Sequence, residues 1–221
     1  MKERPIIFSA ESVRAILEGK KTQTRRVIGG EFAVCRMSGD NEPCDVWWPK
    51  GARKTATNPP LPMDRWTVRC PYGVPEDRLW ARETYARPLG GNILTPREEV
   101  VYRADAVRDD SGERSGWWIG SELFEGDIAW HSPIHMPRWA SRITLEIMGV
   151  RVERLQEINE DDAMAEGVSA PSIDSFDIGP VEVFADAWDR INAKRGYGWD
   201  MNPWVWVISF RRVECNGRLS V

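Results

Sequence analysis

Hydrophobic and polar positions along the chain open with a short apolar run, then repeat at helical spacing, then lose their period. Pro5–Phe8 (PIIF) predicts a short buried strand. Ser9 stands where a helix N-cap belongs, and Val13, Ile16 and Leu17 follow at helical spacing. Gly19 occupies the position after a helix end where a left-handed residue is favoured, so the chain turns there. Strand character returns in RLWARETYA, Arg78–Ala86. In ASRITLEIMGVRVERL, Ile143, Leu145 and Ile147 alternate with Arg142, Thr144 and Glu146, which predicts a half-buried strand with a bend or bulge at Gly149. NEDDAMAEGV predicts a short helix capped by Asn159 and stopped by Gly167. Val181, Phe184, Ala185, Trp188 and Ile191 mark an amphipathic helix. The closing stretch NPWVWVISFRRVE is apolar on both faces, as a central or barrel strand would be.

Between these elements lie two stretches without sustained period, about 29–66 and 106–130, read as long irregular insertions. The pattern as a whole predicts one α+β domain over residues 1–221, with strands at both ends of the chain. Hydrophobic content of 42% with 12 Trp supplies a core. The net charge of −4 argues against a chain that coats nucleic acid electrostatically but leaves room for a local basic cleft. No apolar run suits a signal peptide or a membrane span, so a cytoplasmic protein is expected. Cys35, Cys44, Cys70 and Cys215 are widely spaced and read as free thiols. A zinc site from the first three with His131 or His135 matches no common finger spacing, so neither metal nor cofactor is expected.

Charge raises a sharper question at LEGKKTQTRRV, where Lys20, Lys21, Arg25 and Arg26 fall within seven positions. Cations favour helix C-termini, so a solvated basic turn accounts for the run as well as a binding edge does. Arg82 and Glu83 follow a buried strand and could line a cleft, although adjacent strand residues point to opposite faces. HMPRWASR offers a ring, a phosphate-binding fork and a stacking surface in His135, Arg138 and Trp139, residues that serve equally in packing. The Trp47–Trp48 and Trp117–Trp118 pairs lie in the insertions, where they could cover a cleft, pack loops or meet a protein partner.

GKKTQTRR after the first helix, PEDRLWARET, SRITLEI with VERL, AMAEGV and WVWVISFRRV follow one another in an order that resembles the ASCH family, relatives of the PUA RNA-binding domain. CPYGVPEDRLWARETYA, YRAD and HMPRWASRITLEI are similar to phrases of its long phage and prophage members, which would place the protein in a host cytoplasm. One departure is Glu76, where that group more often has Gly before Asp77.

The resemblance implies a small β-barrel flanked by helices, with a cleft for RNA or a modified nucleoside. One branch hydrolyses N4-acetylcytidine with Lys, Thr and Glu, and by motif position these fall on Lys21, Thr24 and Glu166. In that chemistry a base activates the threonine hydroxyl for attack on an amide, and the leaving nitrogen is protonated. Lys21 and Thr24, three apart, would face opposite sides of a regular strand, so the backbone must bend after Gly19 for them to converge. Lys20, Arg25, Arg26, Arg82, Glu83, His135, Arg138 and Trp139 are the expected substrate contacts. The alternatives are RNA binding without catalysis, a ribonuclease, and a phage assembly or host-interaction protein acting through its Trp-rich loops.

Overall fold

The computed structural model describes residues 1–29, 31–36, 43–48, 61–62, 70–87, 100–109, 116–119, 122–125, 128–168 and 178–213. It is an α+β structure. The elements run β1 (Glu3–Ile7), α1 (Ala10–Leu17), β2 (Gln23–Val27), β3 (Glu31–Arg36), β4 (Pro43–Trp48), β5 (Leu61–Pro62), β6 (Arg78–Arg82), β7 (Tyr85–Ala86) and β8 (Val101–Tyr102). They continue as β9 (Ala106–Asp109), β10 (Gly116–Ile119), β11 (Glu122–Glu125), β12 (Thr144–Arg154), α2 (Glu160–Ala165), α3 (Pro180–Asn192) and β13 (Trp204–Val213).

A five-stranded sheet in the order β1-β6-β12-β13-β2 organises the chain. β1 pairs parallel with β6, and the other neighbours are antiparallel. The doubly apolar β13 lies between β12 and β2. Trp204, Trp206, Ile208 and Phe210 enter the larger core with Val13 and Ile16 of α1, Leu79, Ala81, Leu145 and Ile147. Val205 and Val207 point the other way, into a second core with Ala163 of α2 and Phe184 and Trp188 of α3. The β12–β13 register shifts between Ile147 and Gly149, where the sequence predicted a bend.

Local chemistry sets the ends of α1. Ser9 Oγ accepts from the Ser12 N–H at 3.2 Å. At the other end Gly19 adopts φ +75°, its N–H donates to Ile16 O, and the Lys20 N–H donates to Ala15 O. This is a Schellman closure, and it needs a residue free to take positive φ.

Three expectations change. PIIF is half-buried rather than buried: Ile6 and Phe8 enter the core while Pro5 and Ile7 are exposed, as befits an edge strand. Ile191 is exposed, and Asn192 is buried with Phe184 and Trp188 because positions four apart share one seam of a helix. The stretches read as irregular insertions carry two three-stranded sheets, β3-β4-β5 and β11-β10-β9. Strands this short leave no readable period, and their pairing is set by cross-strand neighbours.

Among the described residues no ladder joins the sheet edges β1 and β2. A side chain spans them instead: Arg26 Nη2 donates to Ile7 O at 2.6 Å, with its guanidinium carbon 5.2 Å from the Phe8 ring centre. Among the described residues no helix is long and apolar enough to cross a membrane.

Candidate functional site

The turn at Gly19 takes the chain out of α1 and lays Lys21 beside the end of α2. The Lys21 N–H donates to Ala15 O, the Thr22 N–H donates to Ala165 O at 2.8 Å, and Lys21 forms an isolated antiparallel bridge with Glu166. Gly167, at φ +86°, stops α2 as expected and makes the approach close. A Cβ there would sit 2.8 Å from Ala15 Cβ and 2.9 Å from Lys21 Cβ.

This placement produces a buried ion pair. Lys21 Nζ donates to Glu166 Oε2 and to Glu166 O, both at 2.6 Å, and each side chain is 5% exposed. Behind it lies Arg25, whose side chain is fully enclosed. Arg25 Nη1 donates to Glu166 Oε1 at 3.3 Å, and its Nη2 donates to Glu153 Oε1 at 2.5 Å and Asp162 Oδ2 at 2.8 Å. Gln23 Nε2 donates to Asp162 Oδ1. Arg151 closes the outer side, donating to Asp162, Glu153 and Gln23. Three cations thus face three carboxylates, Glu153, Asp162 and Glu166, so the charges cancel within the network. Such balance is what permits ions to be buried at all.

Burial drives the Lys21 amine below the usual lysine range; Glu166 pulls it back up, and Arg26 and Arg25 add to the downward push. For Asp162, burial acts upward, but Gln23, Arg25 and Arg151 outweigh it and hold the carboxyl low.

A lysine amine that gives up its proton keeps two N–H donors and gains a lone pair. Glu166 O and Oε2 can take both donors and leave the lone pair for a substrate proton. Thr24 is buried on the opposite face of β2, across from Ile208 in the register. Its hydroxyl makes no hydrogen bond among the described residues. The structure therefore joins Lys21 to Glu166 but does not bond Thr24 to either.

The expected substrate contacts divide. Arg25 is not available to a ligand, because three carboxylates already occupy it. Glu83 is likewise consumed: it is 1% exposed and accepts from Arg142 Nε and Nη2 at 3.0 Å each. Arg26 binds Ile7 O and lies over Phe8 and Tyr72. Lys20 is exposed and pairs with Glu18. Arg82 packs over Trp80 and donates to Ile134 O. His135 is exposed on a 3-10 turn, Arg138 pairs with Glu3, and half-buried Trp139 lies under Arg87. Among the described residues, no hydrogen bond or ion pair ties Arg82, His135, Arg138 or Trp139 to the Lys21–Glu166 network.

Gln23, Arg151, Glu153 and Asp162 were not singled out from the sequence. A signal was present: Arg151 and Glu153 share one strand face, and Asp162 and Glu166 are four apart at a helix end. Among the described residues, no group of three or more His, Cys, Asp or Glu is placed to hold a metal ion. The side chains of Cys35, Cys44, Trp47 and Trp48, like Cys215, lie outside the described residues. Trp117 is half-buried beneath Arg103 and Arg108, and Trp118 is exposed. No family model, curated protein or solved structure matches the chain.

Proposed function

We propose that this is an ASCH-type, PUA-like protein that recognises RNA or a modified nucleoside and hydrolyses the amide of an N4-acyl cytidine. The observation that carries the reading is the buried Lys21–Glu166 pair, which joins two residues that the motif order singled out 145 positions apart. On the same reading, the five-stranded sheet corresponds to the family's barrel, with its edges β1 and β2 linked through Arg26.

Thr24 Oγ attacks the acyl carbonyl carbon, and its proton passes to the neutral Lys21 amine. The C–N bond then breaks, the N4 nitrogen takes that proton back from Lys21, and cytidine leaves an acyl-threonine ester. Water cleaves the ester, releasing a carboxylic acid and restoring the hydroxyl. Glu166 orients the amine and, with Arg25 behind it, keeps its own charge balanced. The unbonded Thr24 hydroxyl favours one rival, recognition of the same ligand without turnover.

The test is incubation of purified protein with N4-acetylcytidine, following cytidine by chromatography. Wild type should release cytidine, and Lys21→Ala and Thr24→Ala should each slow release by about 100-fold or more. Release unchanged in Lys21→Ala removes the mechanism. No release by wild type leaves recognition without turnover.

A further inference from the structure

The outer face of β6 carries a second feature, away from the Lys21 network. Leu79 and Ala81 enter the core, so Arg78, Trp80 and Arg82 share the opposite face. Their cross-strand neighbours are Glu3, Pro5 and Ile7 on β1 and Glu146 and Thr144 on β12, with Arg211 beyond Glu146 on β13. Pro5, Ile7 and Arg211 are exposed, while α2 and α3 pack near the far end of β13 at Val205 and Val207.

The charges on this face do not balance. Glu3 is taken by Arg138, and Glu146 accepts two hydrogen bonds from Arg211. Among the described residues no carboxylate pairs with Arg78 or Arg82, and the buried Nε of each lacks a hydrogen-bond partner. Four guanidiniums therefore stand against two carboxylates on a chain whose net charge is −4. Trp80 and Thr144 are buried beneath these side chains, and an ion ladder that only covered them would need no such excess. The contrast with the neutral network around Arg25 is direct.

We propose that this face binds the phosphodiester backbone of single-stranded RNA, with Arg78 and Arg82 as phosphate forks on either side of Trp80. Four residues of strand separate the two arginines by about 13 Å, a span that more than one phosphate can bridge. A planar fork suits phosphate oxygens, and Trp80, buried beneath Arg82 and Arg138, supports the forks from below rather than offering a stacking surface. The row also leads toward the candidate site. Ile7 is Arg82's partner in the register, and its carbonyl accepts from Arg26, the neighbour of Arg25. The inference rests on the RNA reading above and deepens it: the reacting base arrives within a strand.

Fluorescence anisotropy with a short labelled single-stranded RNA, over a range of salt, tests the assignment. Wild type should bind, more weakly as salt rises. Arg78→Gln/Arg82→Gln should lose about 10-fold in affinity, and its salt slope should fall by about 1.4, at about 0.7 for each phosphate contact. Lys194→Gln, which removes an exposed cation just beyond α3, should bind as wild type does. An unchanged slope in the double variant, no RNA binding by wild type, or labelled polyglutamate binding as tightly as RNA overturns the proposal. N4-acetylcytidine turnover, assayed on the same preparations, reports separately on the hydrolase reading. Should the double variant fail to fold, wild type crosslinked to 4-thiouridine RNA decides. Adducts on the tryptic peptide spanning Leu79–Arg82 support the assignment, and adducts confined to other peptides refute it.

Discussion

Gly167 satisfies two demands at one position. Its φ of +86° is a conformation in which a Cβ is strained, and its Cα hydrogen points where a methyl would meet Ala15 and Lys21. Neither neighbour is the far end of a flexible chain, since both contacts are with Cβ atoms. Relief must come from moving α1 or displacing Lys21 from Glu166. Gly167→Ala is accordingly expected to cost about 1–3 kcal/mol of stability, measured by urea denaturation. It should also reduce N4-acetylcytidine turnover by more than the change in folded population explains. Stability within experimental error of wild type would contradict this account of Gly167. Glu76 shows the reverse situation. It takes φ +74°, so a left-handed turn is kept here without the residue best suited to it.

At the scale of elements, Asp77 ties β1 to β6. Its Oδ1 accepts from the Lys2 N–H and its Oδ2 from Arg4 Nη1, both at 2.7 Å. The Arg4 bond first, then the backbone bond, hold the carboxyl down at about 2 from an ordinary 3.8. A carboxyl whose folded-state pKa is depressed contributes stability that is present in full above the unfolded value and lost as pH falls through the folded one. The advantage of wild type over Asp77→Asn should therefore be complete above pH of about 4 and shrink toward pH of about 2. Thermal midpoints of the two proteins across that range provide the check, and a constant difference would contradict the linkage. The same scale shows what the sequence could reveal. Ser9, Gly19, Asn159 and Gly167 mark helix ends through local backbone chemistry, and all four do so in the structure. Strands β3–β5 and β9–β11 were missed because pairing depends on partners distant in sequence. Lys21 and Glu166 were legible only through motif order. Arg25 was misassigned because a basic run does not disclose which of its members point inward toward Glu153, Asp162 and Glu166.

Across the whole molecule, Arg142 does at the start of β12 what Arg25 does beside α2. Its guanidinium donates twice to Glu83, just beyond β6, and twice to Asp105, between β8 and β9. It also lies 4.0 Å from the centre of the Tyr102 ring, whose hydroxyl donates to Ala140 O. One side chain thus fastens the β7–β8 region to the main sheet. Burial pushes the Glu83 carboxyl up, and the Arg142 fork draws it back toward the ionised form. Removing that fork leaves a carboxylate without compensation in a site that is 1% exposed. Arg142→Ala should therefore cost about 3–5 kcal/mol at neutral pH. The loss should lessen on acidification, because a Glu83 pKa raised above its unfolded value favours the folded state as the group takes up its proton. Glu83→Gln in the Arg142→Ala background removes the stranded charge and should recover part of the loss. A double-mutant cycle by urea denaturation measures this coupling. Additive effects of the two substitutions would mean that the pair does not hold the region down, and that packing around Tyr102 and Met136 does so instead.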